Sequence, residues 1–143
     1  MIVPDLNLLL YAYDASAAQH RAAAAWWEDC LNGSEPVGIA GVVLFGFARI
    51  ATSPRIYRSP VTLAEVSESA ASWLARPHVV ELDGGPGFFG TVLDLLRAAG
   101  TAGKLVTDAQ IAATAIAHGG TVFSNDSDFR RFPGLRVVNP LDD

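Results

Sequence analysis

The feature that most constrains this chain is a repeated alternation of short apolar runs with longer segments of helical pattern. Ile2-Val3-Pro4, Val37 to Val43, His78 to Leu82, Thr121-Val122-Phe123 and Arg136-Val137-Val138 are too short for helices and read as strands. Between them lie helix-patterned stretches: Leu6 to Tyr13, Ala17 to Leu31, Leu44 to Ala51, Thr62 to Ala75, Phe88 to Ala99, and one from Thr107 to His118. Their boundaries carry the expected signals. Asn32-Gly33, Gly100 and Gly119-Gly120 stop helices, Ser53-Pro54 ends another, and Thr62 with Glu65 forms a capping box. Ser124 to Phe132 reads as a polar loop or helical turn. Strands fully apolar and separated by helices imply an α/β fold in which a parallel sheet is covered on both faces.

Composition supports a single domain over 1–143. Half of the residues are hydrophobic and 17% are charged, enough apolar surface for a sizeable core. No repeat and no linker-like composition shift interrupts it. A net charge of −5 argues against a broad basic surface that coats nucleic acid, but leaves room for a small cation-bridged site. The single cysteine, Cys30, excludes an internal disulfide framework and a cysteine zinc site. No apolar stretch is long enough for a membrane span, and no basic region precedes the first apolar run, so a soluble, cytoplasmic protein is expected.

In open sheets of this kind ligands bind beyond the carboxyl ends of the strands. Acids fall at such places: Asp5 after the first strand, Asp108 after Leu105-Val106, and Asp126 and Asp128 after Thr121-Val122-Phe123. Each has an ordinary explanation as a helix cap, a first-turn acid or a turn former. Together they describe carboxylates far apart in sequence that converge on one edge. Gathered carboxylates repel one another, and a divalent cation removes that repulsion. Mg²⁺ and Mn²⁺ suit such oxygen ligands and activate phosphodiesters and water. Asn7, Thr107, Ser124 and Asn125 are placed to hydrogen-bond at the same edge, or only locally. Arg49, Arg55, Arg58, Arg130 and Arg131 are candidates for a local basic rim. The histidines show no ligand spacing, the tryptophans read as packing residues, and Gly84 to Gly87 lacks the spacing of a dinucleotide fingerprint.

These segments also carry a family resemblance. Val3-Pro4-Asp5-Leu6-Asn7-Leu8-Leu9-Leu10-Tyr11-Ala12 resembles the first motif of PIN-domain proteins. Thr107-Asp108-Ala109-Gln110-Ile111-Ala112-Ala113 with His118-Gly119 resembles their central motif, and Ser124-Asn125-Asp126-Ser127-Asp128-Phe129 their closing one. Phe47 to Arg55 is similar to a segment of the VapC toxins of VapBC toxin–antitoxin modules. The resemblance spans essentially the whole chain. It implies a three-layer α/β/α sandwich around a parallel sheet and a ribonuclease dependent on Mg²⁺ or Mn²⁺. It also implies a cognate antitoxin that holds the toxin inactive, a cellular RNA substrate and a homodimer.

Carried onto this sequence, the resemblance places catalytic and metal-binding acids at Asp5, Asp108 and Asp126, with Asp128 as a further metal ligand or the alternative to Asp126. Asn7, Arg49 and Ser124 are the candidate substrate contacts. One departure stands out: many family members carry Glu where this chain has Gly46, which removes a carboxylate and bears on whether one or two metals bind. Two other readings compete. Another Mg²⁺-dependent phosphoester hydrolase would share the acids, although an aspartyl-nucleophile phosphatase would want Asp-x-Asp where this chain has Asp5-Leu6-Asn7. A catalytically weak or silent binding module is the reading that Gly46 favours.

Overall fold

The computed structural model describes residues 1–142. Five strands, β1 (Ile2–Pro4), β2 (Val37–Ala40), β3 (Val79–Leu82), β4 (Thr121–Phe123) and β5 (Arg136–Val138), form one sheet in the order β3-β2-β1-β4-β5, every pairing parallel. The helices are α1 (Leu6–Tyr13), α2 (His20–Asn32), α3 (Gly41–Ala51), α4 (Leu63–Leu74), α5 (Phe88–Ala99) and α6 (Val106–Ala117). The strand order follows from the crossovers. The first two step outward on one side of β1, and the next returns across it to β4. Right-handed connections then place α1–α4 on one face and α5–α6 on the other. The helix contacts agree, α1 packing on α2 and α3, α3 on α4, and α5 on α6. This is the expected α/β/α sandwich.

The direction of the chain reverses between β1 and β4. At such a switch point the loops after two neighbouring strands part and leave a crevice at the carboxyl edge. Asp5 follows β1 and Ser124 follows β4, so the topology alone brings residues 119 positions apart to one place.

The core is continuous through the sheet, with Val3, Val37, Ile39, Val122, Ile111 and Leu105 fully buried. The α1–α4 layer is closed by interlocked aromatic rings. Trp73 lies edge-on to Trp27 (5.5 Å, 88°) and Phe47 (5.2 Å, 64°), and its indole N–H donates to Tyr13 Oη at 2.8 Å. Such pairs add to the area they bury. Gly38 leaves room for its neighbours: a Cβ there would press on the side chains of Leu82 and Met1.

Several boundaries differ from the sequence expectation. The second strand ends at Ala40, and Val42 and Val43 belong to α3, which begins at Gly41 with no intervening loop. An unbroken apolar run carries no mark of where a buried strand becomes a buried helix. Helix α2 starts at His20, because residues 17–19 form a turn and His20 Nδ1 bonds to the Tyr11 carbonyl at 2.9 Å. The largest correction concerns Leu105-Val106, which is not a strand end. A 3-10 turn (Gly103–Leu105) runs straight into α6, Thr107 is its second residue rather than its cap, and Asp108 reaches the edge from the helix's first turn. The capping box at Thr62 and Glu65 forms as expected, Glu65 N–H donating to Thr62 Oγ1 at 3.1 Å.

Candidate metal centre

Asp5 occupies the N-cap position of α1 with extended backbone, yet its side chain makes no capping hydrogen bond. It turns inward and is 3% exposed. Its backbone N–H donates to the Phe123 carbonyl at 2.9 Å, continuing the β1–β4 ladder by one residue. Ser124, 1% exposed, completes the junction: Ser124 Oγ donates to Asp5 Oδ2 at 2.7 Å and accepts the Asp126 N–H at 2.9 Å. One hydroxyl therefore sets the positions of two acids from two different loops.

Asp126 in turn accepts the Asp128 N–H on Oδ1 at 2.9 Å, capping the 3-10 turn Ser127–Arg131. That turn is pinned from below by Phe129, which is fully buried against Phe132. The cap carries both carboxylates to α6. Asp108, Asp126 and Asp128 each offer a carboxylate oxygen within 4.8 Å of the others, and all three are partly buried. Asp5 lies beside this trio, and its charge acts on Asp108.

The electrostatics are those of buried carboxylates crowded together. Burial pushes the Asp108 carboxyl up to about 7, and the charges of Asp5, Asp126 and Asp128 add to the effect. The α6 N-terminus favours the anion, but burial and repulsion win. Burial also raises Asp5, opposed by the Ser124 hydrogen bond and reinforced by Asp126. The nearest guanidinium in an ion pair, Arg131, stands 3.8 Å from Asp128 and donates to the Ala99 carbonyl. An all-oxygen donor set with surplus negative charge fits a hard divalent cation.

The remaining candidates are dispersed. Asn7 is exposed in the first turn of α1, and Arg49 is exposed in the last turn of α3. Arg55 and Arg58 belong to the α3–α4 loop, while Arg130 and Arg131 lie in the turn that bears Asp128. Thr107 is exposed. Gly46 is buried in α3, and a Cβ there would lie 2.6 Å from Leu6 Cδ2. Leu6, the neighbour of Asp5, therefore fills the space where a side chain at position 46 would begin.

The sequence marks the apolar N-terminal helices as a surface for a dimer or an antitoxin, but not the separate cavities at the far end of α1. One, of about 330 Å³, is lined by Leu10, Tyr13, Phe47, Tyr57 and Val61, with Asp14 and Arg58 at its rim. A second, more open one lies across Tyr13 and is lined by Trp27, Leu31, Trp73 and Arg76. Neither is bordered by an acid of the cluster. The signal was the aromatic content of α1, α2 and α4, which served equally well as evidence of core.

Known proteins resemble this chain along nearly its whole length. The model of the PIN domain matches residues 2–135. Ribonuclease VapC33 of Mycobacterium tuberculosis is 44% identical over 141 residues, 99% of each chain. Ribonuclease VapC37 of the same organism is 34% identical over 140 residues, covering 98% of this chain and 97% of the relative. Among solved structures, VapC20 of M. tuberculosis, described as a sarcin-ricin loop cleaving toxin, superposes with a TM-score of 0.69 at 17% identity, over 95% of this chain and 99% of that one.

Proposed function

The chain belongs to the PIN domain family, among its VapC ribonucleases, and from that premise we propose that it is a toxin that cuts cellular RNA at the acidic cluster of Asp5, Asp108, Asp126 and Asp128, around Mg²⁺ or Mn²⁺. The observation that carries this reading is the convergence of three carboxylate oxygens within 4.8 Å at the switch point of the sheet. Asp5, Asp108, Asp126 and Asp128 would hold a divalent cation there, and that ion would supply Lewis-acid activation of the scissile phosphate and of an attacking water.

The chain's own residues do the positioning. Ser124 fixes Asp5 and Asp126, and Asp126 fixes Asp128, so the donor oxygens are set before any ligand arrives. Burial and the neighbouring carboxylates push the Asp108 carboxyl up to about 7, and a cation held beside it would favour its ionised form. Without a cation, the clustered carboxylates repel a phosphodiester. Asn7 and Arg49, both exposed, are the side chains we assign to the RNA backbone. Ser124, being buried, serves the substrate through the acids rather than by direct contact.

A cognate antitoxin is the expected partner. A solved VapBC2 complex from Rickettsia felis shares this fold with a TM-score of 0.65 at 21% identity, over 97% of this chain and 98% of that one. We assign the antitoxin to the paired cavities flanking Tyr13, since an apolar peptide face docks into such grooves. A homodimer belongs to the same reading, as the family resemblance implies. The described residues contain no helix long and apolar enough to cross a membrane, and the cytoplasm is where this activity would meet its RNA. A second reading, a binding module with little activity, rests on Gly46 and the Leu6 side chain that closes its space.

The test is incubation of total cellular RNA with antitoxin-free protein in Mg²⁺, Mn²⁺ or EDTA, beside Asp5→Asn and Asp108→Asn. Discrete cuts that need both the metal and both acids are expected. Cuts retained by Asp5→Asn overturn the assignment of the site, and absence of cutting by the wild type favours the binding module.

A further inference from the structure

Two arginines stand side by side in the 3-10 turn that carries Asp128, and they differ in what they touch. Arg130 is exposed and makes no side-chain hydrogen bond or ion pair among the described residues. Arg131 is held at two points. Its Nη2 donates to the Ala99 carbonyl at 2.8 Å, and its Nη1 lies 3.8 Å from Asp128 Oδ1. The first contact has a local cause. Ala99 is the last residue of α5, where carbonyls lack helical donors. Gly100, with left-handed backbone, turns its N–H back onto Leu96 and Arg97, and the guanidinium takes the Ala99 carbonyl. The helix dipole favours a cation at this end. Arg131 is thus anchored on α5 and reaches Asp128 from there.

The place of this anchor matters for the acids. From Ala99 the chain passes through the turn Gly103–Leu105 into α6, which presents Asp108 in its first turn. The 3-10 turn of Arg131 packs on α6 and presents Asp126 at its cap and Asp128 behind it. Asp108 and the Asp126–Asp128 pair therefore arrive on two separate connections. Ser124 ties the second of these to Asp5 and does not reach the first. Among the described residues, the Arg131 guanidinium makes the one side-chain hydrogen bond that joins the turn of Asp128 to the end of α5.

We propose that Arg131 is a positioning residue of the acid cluster: by bridging the end of α5 to Asp128, it sets the closing turn against the helices that deliver Asp108. This rests on the metal-dependent ribonuclease reading. It moves Arg131 from the basic rim that would meet RNA to the support of the cation site, and leaves Arg130 on the rim. A guanidinium suits the task, because its rigid fork reaches two acceptors at once, which an ammonium on a flexible stem does not. Charge alone has the opposite effect. A cation beside Asp128 repels an incoming metal ion, so losing its charge would strengthen metal binding, whereas losing its bridge weakens it. The pair is well exposed, at 41% and 33%, so the charge effect is small. Misplacing a metal ligand costs about 10–100-fold in affinity, so the bridge wins.

The test is isothermal titration of Mn²⁺ into RNA-free, antitoxin-free protein, comparing the wild type with Arg131→Gln, Arg131→Lys and Arg130→Gln, each well below its melting temperature. Arg131→Gln and Arg131→Lys are each expected to lose about tenfold in Mn²⁺ affinity, and Arg130→Gln to keep the wild-type value. In RNA cleavage, Arg131→Gln is expected to lower kcat at limiting Mn²⁺ and to recover it at saturating Mn²⁺, with KM for RNA unchanged. Tighter Mn²⁺ binding by Arg131→Gln, or wild-type affinity in Arg131→Lys, overturns the proposal, since charge alone then accounts for the residue. Unchanged affinity in Arg131→Gln with a lower melting temperature also overturns it, because the contact is then only structural. If the wild type binds Mn²⁺ but cuts no RNA, the ribonuclease reading falls and the Mn²⁺ affinities still decide the role of Arg131. Wild-type protein that binds no Mn²⁺ overturns both.

Discussion

The two ends of α1 meet opposite environments. At its C-terminal end Tyr13 joins Phe47, Trp27 and Trp73 in a nest of aromatic rings whose contacts all favour folding. At its N-terminal end Asp5 enters a group of carboxylates that repel one another and are poorly hydrated. The first region stabilises the fold, and the second draws on that stability to hold charges the chain alone would push apart. The difference teaches where function resides: it is the place where removing a side chain should help the empty protein.

Substitutions sharpen this contrast. Asp108→Asn carries the largest expected effect on activity, a loss of about 10³-fold in Mn²⁺-dependent cleavage. The same variant should melt higher than the wild type when both are metal-free at pH 8, because it removes a carboxylate that burial and three neighbours disfavour. Calorimetry in EDTA beside a cleavage assay checks both halves, and a lower melting temperature contradicts the account of the cluster. Trp73→Ala should do the reverse and cost about 3–5 kcal/mol in urea unfolding by opening the aromatic nest, with no direct effect on the acids.

Ser124→Ala lies between the two. It frees Asp5 and Asp126 together, and isothermal titration should show Mn²⁺ affinity falling about 10–100-fold, the range for groups that orient metal ligands.

The pH dependence has a definite sign. Asp108 titrates near 3.9 in an unfolded chain and at about 7 in the folded one. Between those values the folded state binds the extra proton, so metal-free stability falls as pH rises through this window and levels off above it. Mn²⁺ uptake at pH 6 should release close to one more proton than at pH 8.5, readable by titration in buffers of different ionisation enthalpy. The smallest effect serves as a control: Arg97→Ala breaks an exposed pair with Asp94 on α5 and should change stability by less than about 0.5 kcal/mol.

Much of this contrast was legible before folding. The strand–helix alternation predicts the parallel sheet, and the strand-end acids Asp5 and Asp126 point to the carboxyl edge. Asp108 was found for a partly wrong reason, since Leu105 and Val106 form a turn and a helix rather than a strand. Ser124 was visible as a polar neighbour, but a buried bond across 119 positions depends on the strand order, which no local pattern encodes. The choice between Asp126 and Asp128 stayed open because cap geometry, not residue type, turns both carboxylates toward Asp108. Trp26 looked like its neighbour Trp27 in sequence. One step along a helix turns a side chain through about a quarter of a circle, and that separates a fully buried residue from a half-buried one at the edge of the core.

The bond between Ser124 and Asp5 also has a consequence in time. Ser124 is itself held by its N–H to the Val138 carbonyl, so the junction needs the first strand and the last. Each opening of the β4–β5 edge therefore releases Ser124 and, with it, the orientation of both Asp5 and Asp126. The acid site lasts only as long as the edge of the sheet stays closed.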